Sequence, residues 1–301
     1  MTSRDPAFRC TAASNLRGEP LAGTASTVRA FLLVEHTGPW GVEALRDARL
    51  PDGLGTSVMR QCRAAGVRPL LIRRPDRRRD PVGTRIFATF AHPSRPWIET
   101  AVLEDPHELL ALDLPALGAG RSLGLTQLDE PLLCVCTHGR HDACCAELGR
   151  PVVAALAADH PAETWEVSHI GGDRFAGNLL ILPEGLYYGR VDAASAIVVA
   201  DSHLAGNLDL DHLRGRSSYA MPVQFAELAL RRHLGERRHD ALSLISRTTA
   251  EDVTCALFEV AGSRWNVRVR TSPSPDLQQL TCRAARDSPI PEHDIVAMDR
   301  E

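Results

Sequence analysis

Short apolar runs separated by polar turns mark out the first two thirds of this 301-residue chain. The first run, residues 28–34, is rich in strand-forming residues and ends at the turn sequence TGPWG, so it predicts a buried strand. The elements predicted after it are helices at 42–48 and 56–65, a strand at 69–73, and a hairpin of strands at 84–90 and 97–103. The predicted order is strand, helix, strand, strand, strand.

The same order returns after a Gly-, Leu- and Pro-rich stretch at residues 112–126, which predicts a connection. The elements predicted beyond it are a strand at 131–136, a helix at 145–159, a strand at 164–169, a hairpin of strands at 178–182 and 186–191, and a helix at 193–200 capped by Asp192. The order of elements repeats while the residues do not, so an internal duplication is indicated by pattern alone.

The pattern changes after residue 205, where a helix at 221–234 and strands at 241–245, 254–260 and 265–270 are predicted. We therefore expect an α/β protein built from three units. They are an N-terminal α/β half at 22–125, a second α/β domain at 127–205, and a C-terminal helix-plus-β appendage at 215–301.

Composition limits the classes of function. A net charge of -4 and a pI of about 6.3 give no overall attraction to nucleic acid or anionic lipid. The basic stretch at 73–79 is interrupted by Asp76, which favours a solvated loop over a partner-docking patch. All 34 basic residues are arginine, which excludes Schiff-base, Walker and kinase chemistry that needs lysine. No apolar run spans a membrane and residues 1–21 lack a secretory signal, so we expect a cytoplasmic protein with reduced thiols.

The candidate chemistry lies where the second unit begins. The sequence CTHGRHDACC places Cys136 at the end of a predicted strand and Cys144 and Cys145 at the start of the next helix. The helix N-terminus and the nearby Arg140 favour thiolates, the form that binds metals or attacks. Successive helical side chains diverge by about 100°, so only one of the two neighbouring cysteines can face the loop. The pattern does not say which one does.

A second loop adds an imidazole. His169 ends the following predicted strand, and Gly171 and Gly172 let the chain turn tightly before Asp173 and Arg174. Strand ends at one edge of an α/β sheet form sites, so we expect these two loops to meet. Cys134 flanks the first loop on its strand. The remaining cysteines are expected to be core thiols: Cys10, Cys62, Cys255 and Cys282.

Several motifs in a fixed order resemble the sucrase/ferredoxin-like family. They are CTHGRHDACCAELGRP, WEVSHIGGDRFAGN and LLILPEGLYYGR, preceded by LAGTA at 21–25 and LVEHTGPWG at 33–41. The resemblance implies a thioredoxin-like ferredoxin fold that carries a [2Fe-2S] cluster, held by two cysteines in C-x8-C and two histidines in H-x3-H. Cys136, Cys145 and His169 match this set, and Asp173 stands where the second histidine is expected.

Three outcomes are compatible with an aspartate in place of the second histidine. Asp173 binds iron through a carboxylate oxygen, or Cys144, His138 or His141 completes the set, or no cluster is bound. A zinc ion on the four matched residues is a further alternative. With a cluster, Gly171 and Gly172 amides, Arg140 and Arg174 are expected to tune it by donating hydrogen bonds or stabilising its charge.

The expected function is electron transfer between a reductase and an acceptor protein, both unidentified. The alternative is a zinc-stabilised or metal-free thioredoxin-like binding module without redox activity. A thiol exchange enzyme is disfavoured because the chain has no C-x-x-C. A hydrolase using Cys145 and His169 lacks an orienting third group, and no carboxylate pair is placed for sucrose hydrolysis.

Overall fold

The computed structural model describes residue 5 and residues 7–76 and 83–301. Part of the predicted basic loop, residues 77–79, lies outside this described part. The elements of the first half are α1 (Cys10–Leu16), β1 (Ala30–Glu35), α2 (Ala44–Asp47), α3 (Leu54–Ala64), β2 (Val67–Arg73), β3 (Thr84–Phe90), β4 (Trp97–Leu103), a 3-10 helix (Pro106–Ala111), α4 (Leu114–Gly118) and β5 (Thr126–Gln127).

The second half repeats this plan. Its elements are β6 (Leu132–Cys136), α5 (Ala143–Asp159), β7 (Thr164–Val167), a 3-10 helix (Asp173–Phe175), β8 (Leu179–Leu182), β9 (Leu186–Tyr188), α6 (Ala193–Leu204) and β10 (Leu213–Arg216). The chain ends with α7 (Met221–Leu234) and four strands, β11 (Leu242–Ala250), β12 (Val253–Val260), β13 (Ser263–Pro273) and β14 (Pro291–Arg300).

Both halves contribute to one mixed ten-stranded sheet of order β10-β9-β8-β6-β7-β2-β1-β3-β4-β5. In each half the first two strands are parallel and joined through a helix, and the later strands are antiparallel. The halves meet where β2 pairs antiparallel with β7. Strand order and direction are therefore related by a pseudo-twofold axis between β2 and β7.

Side chains alternate between the two faces of each strand, so the two faces of the large sheet contribute to different hydrophobic cores. One face of β1 packs against the helix that follows it, so Leu32 and Val34 share a core with Val58 of α3. In the second half, Val135 packs in the same way with Val152 of α5. The opposite strand faces of both halves form a single further core. Helix α7 covers the separate antiparallel sheet β11-β12-β13-β14.

A buried charge network lies where α7 meets the large sheet. Glu227 accepts hydrogen bonds from Arg231 at 3.1 and 3.0 Å, and Arg216 of β10 lies 3.6 Å away. Burial opposes ionisation of Glu227, but these two guanidinium groups outweigh burial and lower its pKa. All three side chains are at most 4% exposed, so their charges must be compensated within the protein.

The α/β prediction is confirmed as a large mixed sheet with a smaller antiparallel sheet, while the predicted domain limits stay a prediction. The expectation of a bare connection at 112–126 was wrong, because α4 forms there. Asp113 caps it by accepting from the Ala116 amide at 3.0 Å, and Pro115 lies in the first turn, where it costs no hydrogen bond. The elements not predicted are α1, α4, β5, β10, β14 and the two 3-10 helices. No helix in the described part of the chain is long and apolar enough to cross a membrane.

Candidate metal centre

Strand β6 and helix α5 place two thiols at one end of the sheet. Cys136 is the last residue of β6, and Cys145 lies in the first turn of α5. The helix begins at this point because Asp142 caps it, accepting from the Cys144 amide at 2.9 Å. Further along α5, Gly149 lies directly against the Cys136 backbone. The helix is thus seated on the strand residue that carries the first thiol.

Strand β7 runs parallel to β6, with Val167 opposite Cys136, so the chain that leaves β7 emerges beside that thiol. His169 follows, and Gly171 and Gly172 take left-handed conformations with φ of +97° and +81°. Such backbone angles favour glycine, and they turn the chain back so that Asp173 faces the thiols. Two parallel strand ends and one glycine turn therefore assemble the site.

Four donor side chains converge there. Donor atoms of Cys136, Cys145 and His169 all lie within 4.8 Å of one another. Oδ1 of Asp173 lies 2.8 Å from Nδ1 of His169 and 3.2 Å from Sγ of Cys145. Both thiols and the carboxylate are at most 2% exposed, whereas the imidazole is 25% exposed. The donors are buried except at the edge of the His169 ring.

Coupling between these groups fixes their charges. The hydrogen bond with Cys145 holds the pKa of Cys136 well below its usual range, although burial acts to raise it. His169 lowers this pKa further. The same bond, together with burial and Asp173, raises the pKa of Cys145. Burial opposes charge on His169, but Asp173 and Cys136 outweigh it and raise its pKa to about 9. The centre thus holds a thiolate and a carboxylate around one imidazolium, an arrangement that suits replacement of the proton by a cation.

The two histidines of the first loop differ in their availability. The His169 amide donates to Nδ1 of His138 at 3.2 Å, so Nε2 carries the proton and donates to the Gly41 carbonyl at 2.7 Å. Both His138 nitrogens are therefore engaged. The His141 ring stacks on His169 with centroids 3.8 Å apart, and its Nε2 lies 3.9 Å from Oδ2 of Asp173. His141 is in position as an additional donor.

The remaining predicted site residues lie around this centre without facing the thiols. The Gly171 carbonyl accepts from Arg214 at 2.9 Å, and a Cβ on Gly172 would lie 2.2 Å from the same guanidinium. Arg174 donates to Glu19 at 2.6 Å and lies over the Phe175 ring. Arg140 is exposed. Gly172 thus makes room for the buried Arg214, a neighbour that sequence reasoning missed, and Gly171 supplies it with a backbone acceptor.

A cavity lies on the imidazole side of the centre. It has a volume of about 170 Å³ and adjoins the rings of His141 and His169. The first half of the chain supplies its other wall, with Glu43, Met59 and Arg68 among the lining residues. An approaching molecule would meet the two imidazoles before the thiols.

Cys144 faces away from this centre. Its sulfur lies 3.7 Å from that of Cys10 and 3.5 Å from that of Cys282. Cys10 is fully buried, as expected of a core thiol, and Cys282 is half-buried, but both belong to a cluster with Cys144 that the sequence did not predict. Cys62 is fully buried in the core of the first half, as expected, and Cys134 is buried on β6. Spacing along the chain held no signal for the meeting of Cys10 and Cys282, which are 272 residues apart.

A mixed sheet that gathers two thiols, an imidazole and a carboxylate at parallel strand ends defines an α/β protein with a candidate metal centre. A family model described as sucrase/ferredoxin-like matches residues 21–215, more than half of the chain. The chain belongs to the sucrase/ferredoxin-like family. Comparison with curated proteins and with solved structures gave no match.

Proposed function

We propose that this protein transfers single electrons through a [2Fe-2S] cluster held by Cys136, Cys145, His169 and Asp173. The observation that carries the proposal is the convergence of these side chains from two loops. One loop supplies two thiols, and the other supplies an imidazole and a carboxylate. Each loop would thus provide the ligand pair for one iron, a division that suits a binuclear cluster.

The scaffold supports the same proposal. Strands β7-β6-β8-β9, with α5 after the first of them in the chain and α6 after the last, are in the order and directions that the proposed thioredoxin-like domain would have. Family membership supports a ferredoxin-like role independently of this strand order.

The chain's own residues would insulate and orient the cluster. A bound [2Fe-2S] cluster supplies a centre that accepts and returns one electron. Buried Cys136 and Cys145 anchor its inner side, where Asp173 is also shielded from water. His169 and the stacked His141 form the edge nearest solvent, with side-chain exposures of 25% and 29%. Reductase and acceptor proteins would therefore dock over these two rings.

Asp173 is the proposed fourth ligand because its oxygen lies between the imidazole and a thiol. A carboxylate donates more negative charge than an imidazole, so it should lower the reduction potential. Asp173→His should therefore raise the potential and change the EPR signal of the reduced protein. Asp173→Asn should weaken cluster binding. An unchanged potential and signal in both variants would remove Asp173 from the ligand set and direct attention to His141.

A single zinc ion is the second candidate, favoured by how close the donors lie. Zinc bonds of about 2.0–2.3 Å hold tetrahedral donors roughly 3.3–3.8 Å apart. Donor atoms of Cys136, Cys145 and His169 lie within 4.8 Å of one another, and Oδ1 of Asp173 lies 3.2 Å from Sγ of Cys145 and 2.8 Å from Nδ1 of His169. A zinc-bound protein would be a binding module without redox activity. The two candidates differ in metal, sulfide content and spectrum.

Anaerobic purification followed by iron, acid-labile sulfide and zinc analysis separates them. The proposal expects two irons and two sulfides per chain, visible absorption, and an EPR signal after reduction. Cys136→Ser and Cys145→Ser should each abolish this signal. Cys134→Ala is the matched control, because it removes a buried thiol of the same strand that lies outside the donor group. Zinc without iron in the wild-type centre would refute the electron-transfer proposal.

A further inference from the structure

Three cysteines from distant parts of the chain meet beside the candidate metal centre. Cys10 begins α1, Cys144 lies in the first turn of α5, and Cys282 lies in the connection between β13 and β14. The three Sγ–Sγ distances are 3.7 Å between Cys10 and Cys144, 3.5 Å between Cys144 and Cys282, and 3.6 Å between Cys10 and Cys282. The sulfurs form a nearly equilateral triangle.

A buried carboxylate completes the group. Asp142 is fully buried, and both its oxygens lie 3.7 Å from Sγ of Cys10. Backbone amides hold it in place, since Cys144 donates to Oδ1 at 2.9 Å and Cys282 donates to Oδ2 at 2.7 Å. Donor atoms of all four side chains lie within 4.8 Å of one another. The backbones of Cys144 and Cys282 thus orient the carboxylate toward the Cys10 sulfur, and their own thiols belong to the same donor group.

We propose that Cys10, Cys144, Cys282 and Asp142 bind one Zn²⁺ as a structural site. Zn–S bonds of about 2.3 Å place tetrahedral thiolates roughly 3.8 Å apart, and a Zn–O bond of about 2.0 Å places the carboxylate oxygen roughly 3.5 Å from each sulfur. The three S–S separations of 3.5–3.7 Å and the 3.7 Å from the Cys10 sulfur to the Asp142 oxygens match these edges closely, and an Asp142 oxygen lies within 4.8 Å of the other two sulfurs. Three soft thiolates and one carboxylate are a ligand set that zinc accepts.

Disulfide chemistry explains the group less well. A disulfide needs sulfurs about 2.05 Å apart, and three thiols cannot all pair with one another. The Cys10 amide points at the Cys282 sulfur, 3.4 Å away, as a donor to a negatively charged sulfur would. A cation shared by all three sulfurs accounts for every member of the cluster.

The path of the chain toward Cys282 supports a joining role. Residues 274–290 connect β13 to β14, and connections longer than about 12–15 residues are uncommon unless they have a function. This connection contacts the loop before α5 at two points. The Cys282 amide donates to Asp142, and Arg283 donates to the Arg140 carbonyl at 2.6 Å. Zinc would fasten the N-terminal helix, α5 and the C-terminal sheet at one point.

Metal analysis of purified full-length protein tests the proposal. Wild type should carry one zinc per chain in this site, whatever metal the first centre holds. Cys10→Ser and Cys282→Ser should each lose that zinc and keep the iron, sulfide or zinc of the first centre. Cys255→Ser is the control, because Cys255 lies in β12 outside both donor groups and should lose nothing. Wild-type zinc content retained in both cluster variants would overturn the proposal.

A cobalt experiment keeps the test decisive if a serine variant does not fold. In a Cys136→Ser background, which disables the first centre, metal-free protein is titrated with Co²⁺. One equivalent should give the visible bands of tetrahedral cobalt and an ultraviolet thiolate band. Cys282→His, which keeps a metal-binding donor, should retain the visible bands with a weaker thiolate band. No tetrahedral spectrum in the background protein would refute the site, and this result is independent of iron at the first centre.

Discussion

Gly149 of α5 offers a direct test of how the fold spaces the two ligand thiols. A Cβ built on Gly149 would lie 2.2 Å from the carbonyl oxygen of Cys136 and 3.2 Å from its carbonyl carbon. Carbon–oxygen contacts normally begin at about 3.3 Å, so Gly149→Ala must move α5 from β6 by roughly 1 Å. The contact is between two backbones, which leaves no flexible side chain to absorb the change.

The size of the effect follows from two opposing contributions. Forced overpacking costs about 1–3 kcal/mol, while alanine in place of glycine gains about 1 kcal/mol of helix propensity. We expect the free energy of unfolding of metal-free protein to fall by up to about 2 kcal/mol. Metal binding should suffer more, because ligand positions tolerate displacements of only about 0.5 Å. Cys145 lies one turn from Gly149, so it moves with the helix.

The assay compares metal content per folded chain with urea unfolding of the metal-free protein. Gly118→Ala is the matched control, since its Cβ would lie 1.9 Å from the Ala65 carbonyl oxygen in the first half, away from the donors. Both variants should lose stability, and only Gly149→Ala should lose the metal of the first centre. Full metal content and an unchanged spectrum in a destabilised Gly149→Ala would refute the claim that the α5 contact spaces the thiols.

Two further predictions concern charges away from the centre. Glu227→Gln should lower the free energy of unfolding by about 3–5 kcal/mol in urea, because Arg216 and Arg231 would keep buried charges with no carboxylate. The pKa of Glu227 is lower in the folded state than in the unfolded chain. Ionised Glu227 therefore stabilises the fold above its ordinary pKa, and this stabilisation is lost as the pH falls through the folded-state pKa. Glu227→Gln should lack this part of the loss of stability in acid. Arg9→Ala should leave the midpoint of urea unfolding nearly unchanged, because the ion pair of Arg9 with Glu147 is exposed to solvent; a clear fall in the midpoint would contradict the weak contribution expected of this pair.

Sequence pattern predicted the elements whose signals are local. Strands β1 and β6 have continuous apolar residues next to turns, and α5 follows a residue that can cap it. The hydrophobic pattern and the turn and cap residues therefore indicate the same element boundaries. The predicted strand at 186–191 ends at Tyr188, because Arg190 takes a left-handed φ of 55° that a strand does not accommodate. Strand β14 was missed because most of its residues are exposed on both faces, which leaves no alternation to recognise.

The candidate site also has parts that the sequence could predict and parts that it could not. The loops that carry Cys136 and His169 follow adjacent parallel strands, so a correct strand order is enough to expect their meeting. The choice between Cys144 and Cys145 needed the actual helix position, which directs each sulfur to a different group. The triangle with Cys10 and Cys282 depends on contacts across 272 residues, and these arise from tertiary packing that no local spacing encodes.

The repeat in the sheet also has a consequence for access. The first half has no thiol at the strand end that corresponds to Cys136, where Glu35 and His36 stand instead. Its residues nevertheless form one wall of the cavity against His141 and His169, and Arg68 of β2 donates to the His169 carbonyl at 3.1 Å. One half of the sheet thus carries the candidate donors, and the other half bounds the approach to them. Substitutions at Glu43 should therefore alter access to the two imidazoles while leaving every donor side chain in place.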